Sequence, residues 1–548
     1  MDTKKLAELL YPNIKTTPED MELRYPPRSL PEGAKVTRFA PSPTGFLHLG
    51  NLYGVLTDER LAHQSGGVMY LRIEDTDAKR EVKDGVKLII DLLERFDIHF
   101  DEGATVDGDN GAYGPYRQSQ RAEIYQTYAK RLVEEGKAYP CFCTEEELES
   151  IRAEQENIGA TPGYYGKWAV WRDAPIEKVE AALAEGRPFV LRFRSEGREE
   201  NSFKFTDLVK GVIDVSENYI DHVIIKSDGI PPYAFAHAVD DHLMRTTHVV
   251  RDESWLPSLP FHIQLFNALG FKLPKYIHTA QVMKLDDGKK RKLSKRKDPE
   301  FAMSYFFASG YPVSVAKEYL TTLLNSNFEE WRIANPDAPL DDFPFSIKKM
   351  SASGCLFDFN KLNDIGKNVI GKMTADEVYD GVLAWAREYD ADFAARLAAD
   401  PVYAKSILAI GRGGAKPRKD IAKWDEVKDF ISFFYDDLFR IEDSYPENFA
   451  PAYIKAALTM FADTYDAADD SAAWFDKIKH IADSLGFASD MKAYKKSPEQ
   501  YKGSVADISM FIRVAVTGRQ NSPDMYSVMQ VLGADRVVAR ARSMAEKL

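Results

Sequence analysis

Only three cysteines occur among 548 residues, too few for a disulfide framework and in keeping with a reducing compartment. No run approaches the roughly eighteen consecutive apolar residues that a membrane-spanning helix needs. The N-terminus lacks the basic-then-apolar pattern of a secretory signal, so a cytoplasmic chain without a membrane partner is expected. Positive charge is also scarce, with 72 Lys and Arg against 85 Asp and Glu and a formal net charge of -13. Spread evenly, that balance would repel nucleic acid, but binding answers to the local field. The distribution is uneven. Between Gln281 and Lys297, the cations Lys284, Lys289, Lys290, Arg291, Lys292, Lys295, Arg296 and Lys297 face only Asp286 and Asp287. A solvated lysine-rich loop is the plain reading of such a run.

What is present is 44% hydrophobic and 29% charged residues, the composition of a globular chain with several domains and sizeable cores. The most informative stretch is Arg38 to Arg80. A β-forming run, Lys35 to Phe39, turns through Pro41-Ser42-Pro43-Thr44-Gly45, and Leu47, Leu49, Leu52, Val55, Leu56 and Leu61 then recur at helical spacing. A second strand over Val68 to Ile73 follows Gly66-Gly67. This β-turn-helix-β unit predicts a parallel sheet whose ligands lie beyond the carboxyl ends of its strands. His48 near the helix start can donate to a phosphate where free backbone N–H groups favour anions; its bland alternative is a helix cap. Asp75, Thr76 or Asp77 would likewise serve as the N-cap of a helix over Glu81 to Phe96, with Val82, Val86, Ile89, Ile90, Leu93 and Phe96 inward.

The His48-Leu49-Gly50-Asn51 tetrapeptide resembles the "HIGH" signature of the glutamyl-tRNA synthetases, class I aminoacyl-tRNA synthetases. Lys292-Leu293-Ser294-Lys295-Arg296 resembles their second signature, "KMSKS", and Tyr233 to Arg251 resembles the block between the two. The resemblance implies an α/β Rossmann-like parallel sheet with an inserted acceptor-binding domain, followed by all-α anticodon-binding domains. Expected boundaries are 1–34 for an N-terminal extension, 35–140 and 229–298 for the catalytic halves, 141–228 for the insertion, 299–405 for a junction and 406–548 for the anticodon region. It also implies an ATP-dependent ligation of L-glutamate to tRNA(Glu) through an adenylate, with magnesium, by a monomer.

Residue by residue, the resemblance places Arg38 on the side-chain carboxylate of glutamate, Arg251 on the main carboxylate or adenylate region and Glu74 on the ammonium. Ala40, Ser42 and Tyr233 complete that pocket, while Thr44, His48, Gly50, Asn51, Leu293, Ser294 and Lys295 bind ATP. His48, Lys292 and Lys295 stabilise charge during catalysis, and Gly288 lets their loop hinge. Asn51, Asp252 and Trp255 depart from the usual pattern.

Cys141-Phe142-Cys143 has the spacing of half a zinc knuckle, but residues 163–171 supply no Cys or His to complete it. A degenerate knuckle held by aromatic packing, without zinc, is expected. The insertion should carry a helix over Ile176 to Glu185, a strand over Phe189 to Phe193 and a strand pair of Val212-Ile213 with His222 to Ile225. The last 150 residues or so show helical steps over Ala422 to Phe439, Ala452 to Phe461 and Phe475 to Leu485, and no β-barrel pattern. Arg412, Lys416, Arg418 and Lys419 interrupt this acidic half; Arg412, Arg418 and Lys419 are candidate tRNA contacts. A non-discriminating enzyme that also charges tRNA(Gln) shares every catalytic residue above. A glutaminyl enzyme and a catalytically silent tRNA-binding homologue are the remaining alternatives.

Overall fold

The computed structural model describes residues 2–44, 47–77, 82–293 and 297–548. It divides into two compact units, one of residues up to Tyr305 with Lys317–Asp358, the other of Phe306–Ala316 with Phe359–Leu548.

The first unit opens with α1 (Thr3–Leu10) and α2 (Pro18–Arg24), then β1 (Val36–Phe39), α3 (Leu49–His63), β2 (Val68–Leu71), α4 (Gly85–Arg95), β3 (Glu102–Ala104), β4 (Asp109–Asn110) and α5 (Ala122–Glu134). β1 pairs parallel with β2 in the register Arg38↔Tyr70, β2 pairs parallel with β3, and β4 closes that edge antiparallel. An inserted segment follows, with β5 (Ala138–Cys141), α6 (Glu145–Asn157), α7 (Ile176–Ala184), β6 (Val190–Phe193), β7 (Ser202–Asp207), β8 (Gly211–Ser216) and β9 (Val223–Ile225). The chain returns through α8 (Tyr233–Leu243), β10 (His248–Asp252), α9 (Leu259–Ala268) and β11 (Lys275–Thr279), with β10 and β11 parallel. Thr247 N–H donates to the Val36 carbonyl at 3.0 Å and Val36 N–H to Thr247 Oγ1 at 2.8 Å, which sets β10 beside β1. The chain therefore builds away from β1 on one side and comes back to its other side. The crevice between β1 and β10 is the topological switch point where a parallel sheet takes its ligand.

Burial explains these elements. All of β1 is buried, as a strand covered on both faces must be. α3 is enclosed on most of its surface, so Thr57, Asp58 and Glu59 are buried together with the apolar positions read from the sequence. The N-terminal extension is sewn down: Lys130 donates to Glu8 at 2.5 Å and to the Ile14 carbonyl at 2.9 Å, and Arg28 meets Glu102 at 2.8 Å and the Met244 carbonyl at 3.0 Å.

Several expectations require correction. The helix read over 81–96 begins at Gly85, where left-handed Asp84 (φ 57°) turns the chain in; Val82 is exposed, and Glu81 lies outside the described residues. Asp75 caps no helix, because its carboxylate accepts from Ser119 N–H at 2.8 Å and Oγ at 2.6 Å. Val212-Ile213 and His222 to Ile225 are not partners: β8 forms a hairpin with β7, whose Phe203 and Phe205 alternate with polar residues, and β9 pairs with β6. In the basic run, β12 (Val282–Asp286) and β13 (Lys289–Lys292) form a hairpin, and β14 (Cys355–Leu356) adds to β12. Its turn, Asp287 (φ 48°) and Gly288 (φ 74°), has the two left-handed residues of a type I′ turn, so Gly288 serves the hairpin rather than a hinge.

Among its described residues the second unit is helical, with one core running from Ile370 to Ala545. Helices Pro451–Thr464 and Ser471–Leu485 stand where periodicity placed them. The helix expected over 422–439 is instead three short turns. Arg540 and Arg536 explain this: they donate to the Phe433 and Phe434 carbonyls at 2.7 and 2.8 Å, replacing helical N–H partners. Among the described residues no helix is long and apolar enough to cross a membrane.

Candidate active site

At the carboxyl ends of β1 and β10 lies a cavity of about 300 Å³. β1 contributes Arg38 and the following Ala40, the start of α3 His48, Gly50 and Asn51, the end of β2 Glu74, the start of α8 Tyr233, and β10 Arg251 and Asp252; Trp255 and Lys292 close the rim. A larger cavity of about 960 Å³, walled mostly by the insertion and α9, meets it at Tyr233 and Trp255. Of the other expected residues, Ser42 and Thr44 are exposed on the loop after β1 and Leu293 is half-buried, and none of the three lines this cavity. Gly45, Ser294 and Lys295 fall outside the described residues.

The cavity floor is a buried charge lattice. The Asp241 carboxylate accepts from Arg38 Nε at 3.2 Å and Arg72 Nη1 at 2.6 Å, and His237 Nδ1 lies 2.7 Å from it. Burial opposes that charge, but Arg38 and Arg72 hold the Asp241 carboxyl well below the usual carboxylate range. Asp240 takes Arg121 at 2.7 Å, Gln118 at 2.9 Å and Tyr125 at 2.8 Å. Arg251 differs. Its Nε donates to His278 Nε2 at 3.1 Å and its Nη1 to His262 Nδ1 at 2.9 Å, while Nη2 is buried with no partner among the described residues. Arg251 is thus a buried cation that faces imidazoles and aromatic rings, with Tyr276 4.6 Å away, and forms no described ion pair.

Glu74 accepts from Arg72 Nη2 at 3.0 Å, yet burial outweighs that cation and pushes its carboxyl up to about 7. Burial also pushes Asp58 well up; this residue borders the same cavity, and its Oδ1 is buried without a hydrogen bond among the described residues. His48 is a helix cap that also lines the cavity. Its Nδ1 accepts from Gly50 N–H at 3.0 Å and Asn51 Oδ1 accepts from His48 N–H at 3.0 Å, a capping box that leaves Nε2 as the ring's donor. Asn51, expected as an ATP contact and as a departure from the usual tetrapeptide, completes that cap. Asp252 accepts from Ser254 N–H at 2.9 Å and Gln281 at 3.2 Å, and lies 3.8 Å from Lys292 at the exposed rim. Trp255 packs on Tyr233 with ring centroids 4.5 Å apart.

Arg72, Asp240, Asp241, His237, His262 and His278 were missed at the level of sequence. One signal existed: adjacent Asp240 and Asp241 in an otherwise apolar helix require buried cations.

Away from this site, Cys143 Sγ lies 3.6 Å from Tyr164 Oη, and Phe142 packs on Trp171 at 4.8 Å. Hydrogen bonding from Cys143 pulls the Cys141 thiol below its ordinary range. Among the described residues no group of three or more His, Cys, Asp or Glu is gathered to hold a metal ion. In the helical unit, Arg412 donates to the Ile370 carbonyl at 2.6 Å and Arg418 forms a bidentate pair with Asp420 at 2.5 and 2.9 Å, while Lys419 is exposed. Arg418 also borders a cavity of about 720 Å³ with Trp474, Phe475, Lys479 and Arg513, whose Nε is buried without a partner among the described residues. Sequence reading did not single out that cavity.

Residues 35–362 match the family described as "tRNA synthetases class I (E and Q), catalytic domain", and 415–545 match "Anticodon binding domain". The glutamate–tRNA ligase of Acetivibrio thermocellus is 52% identical, covering 99% of this chain and 100% of that protein. That of Clostridium perfringens is 48% identical over 98% and 100%. The crystal structure of a glutamate tRNA ligase from Elizabethkingia meningosepticum, in complex with its amino acid, superposes with TM-score 0.74 at 25% identity, covering 94% of this chain and 99% of that one.

Proposed function

The chain belongs to the glutamate–tRNA ligases, class I synthetases of the E and Q type, and we propose that the crevice between β1 and β10 is where it activates L-glutamate. The enzyme joins L-glutamate to tRNA(Glu) with ATP through a glutamyl-adenylate. One observation carries the placement: Arg251, a buried cation facing no described carboxylate, lines the same cavity as Arg38 and Glu74. Free glutamate brings two carboxylates and one ammonium; Arg38, Arg72 and Arg121 outnumber Asp240 and Asp241 by one charge, Arg251 adds a second cation, and Glu74 offers the anion. Arg38 takes the side-chain carboxylate, Arg251 the main carboxylate and Glu74 the ammonium, with Ala40, Ser42 and Tyr233 around them. Glutamine would leave one arginine without its anion, so selection rests on charge rather than size.

In the first step the glutamate carboxylate attacks the α-phosphorus of ATP and diphosphate leaves; in the second, the terminal ribose hydroxyl of tRNA attacks the adenylate and AMP leaves. Neither needs a protein nucleophile. His48 Nε2, at the N-terminus of α3, and Lys292 meet the phosphates, together with Thr44, Gly50, Asn51, Leu293, Ser294 and Lys295 around ATP. Magnesium comes with the triphosphate it neutralises, since the cavity's carboxylates are committed to Arg72 and to the Lys292 rim or, at Asp58, held toward the neutral acid. In the helical unit, Arg513 and Trp474 supply a cation and an aromatic face for an anticodon nucleotide. The exposed Lys419 adds phosphate attraction, and Arg418 borders the same cavity. The three free cysteines fit a reducing cytoplasm, and a monomer is what the family resemblance implies.

The test is glutamylation of purified tRNA(Glu) and tRNA(Gln) side by side. Charging of tRNA(Glu) alone defines a discriminating enzyme. Charging of both makes it the first enzyme of an indirect route to Gln-tRNA(Gln), and charging of neither would refute the reading.

A further inference from the structure

A buried arginine can be held by carboxylates, which offset its charge, or by neutral acceptors, which leave that charge whole. Carboxylates hold Arg38, Arg72 and Arg121, through Asp241 and Asp240. Two fully buried imidazoles hold Arg251. Because guanidinium nitrogens only donate, His278 Nε2 and His262 Nδ1 must both be unprotonated acceptors. In His278 the proton then sits on Nδ1, which lies 2.7 Å from the Asp207 carboxylate. Asp207 closes hairpin strand β7 and also accepts from the backbone N–H groups of His278 (3.1 Å), Val209 (2.9 Å) and Lys210 (2.8 Å), so this tautomer is fixed by an immobile anion. In His262 the proton sits on Nε2, which is buried without a partner among the described residues. Burial disfavours the imidazolium form of both rings, and the Arg251 charge disfavours it further.

We propose that His262 and His278 are positioning residues for the substrate carboxylate: two neutral acceptors grip Nε and Nη1 of Arg251 and leave its charge and its Nη2 edge for glutamate. The inference rests on the reading of Arg251 as a carboxylate receptor.

The test uses the two acceptor positions. An Asn oxygen falls near the Nδ1 position of a histidine and a Gln oxygen near Nε2. His262→Asn and His278→Gln therefore keep the acceptor, and His262→Gln and His278→Asn misplace it. All four are polar and similar in volume. With full-length enzyme, tRNA(Glu) and saturating ATP, the misplacing variants should raise the glutamate KM about fivefold or more, and the preserving ones should stay within about twofold of wild type. The KM for ATP should not move in any of the four. The same crossing at one histidine suffices where a variant of the other fails to fold. Equal effects of Asn and Gln at both positions, or a wild-type glutamate KM throughout, would overturn the proposal. Arg251→Ala separates the two readings: a raised glutamate KM there with no crossing refutes only the histidine role, and an unchanged KM removes the carboxylate receptor and the proposal with it.

Discussion

Glu74 gives the site a pH dependence. Its carboxyl, raised to about 7 by burial, is largely neutral below that pH and cannot attract the glutamate ammonium; above it the charge is present. The kcat/KM for glutamate should therefore fall as pH drops through about 7, and Glu74→Gln should be low and flat across the same range. An inflection that survives in Glu74→Gln would assign the titration to another group. Arg38 requires a different kind of variant. Because it is buried on Asp241, Arg38→Ala removes a neutralising partner and should cost about 3–5 kcal/mol of stability besides activity. Arg38→Lys keeps the charge and should fold, with a raised glutamate KM and an unchanged ATP KM; a normal glutamate KM would displace Arg38 from the pocket. At this scale the sequence was partly legible. Arg38, Glu74 and Arg251 were readable because they end strands beside a signature motif. The histidines that grip Arg251 were not, since they come from α9 and β11 and only tertiary packing unites them.

At the scale of elements, the start of α3 joins two functions that separate by substitution. His48→Ala loses both the helix cap and the phosphate donor, whereas His48→Asn retains a good N-cap and moves the donor. Thermal melting should show His48→Ala less stable by about 0.5–2 kcal/mol and His48→Asn close to wild type. Both should lower the rate of adenylate formation, by about a hundredfold for one lost transition-state donor. If His48→Asn keeps the full rate, the histidine is only a cap. Elements with strong local signals, such as α3, β2 and α7, were legible within a residue or two. The β12–β13 hairpin was also written locally, in the turn dipeptide Asp287-Gly288, but the charge run around it drew the reading toward a loop. The turns over 424–434 were not legible, because the arginines that take their carbonyls lie about a hundred residues later.

At the scale of the whole molecule, an enzyme with a net charge of -13 must bind a polyanion through local sites. Two kinds of contact are open to it, and they differ in their response to salt. The exposed Lys416 and Lys419 can only attract phosphates, so removing both should weaken tRNA binding uniformly and reduce the salt slope by roughly one to two. Arg513 sits in a cavity with Trp474 and keeps a buried Nε without a partner, an arrangement suited to a base stacked on the indole and bonded to the guanidinium. Arg513→Ala should raise the KM for tRNA(Glu) about tenfold or more, the scale of one lost base contact, with no change in the KM for glutamate or ATP. Its salt slope should stay near wild type, because a base contact releases few counterions. A KM for tRNA unchanged in Arg513→Ala would exclude the cavity from recognition, and a reduced slope would make Arg513 one more phosphate contact. If Arg513 does read a base, the same variant should also narrow the ratio of charging between tRNA(Glu) and a tRNA altered only at the anticodon, which loss of a phosphate contact would not do.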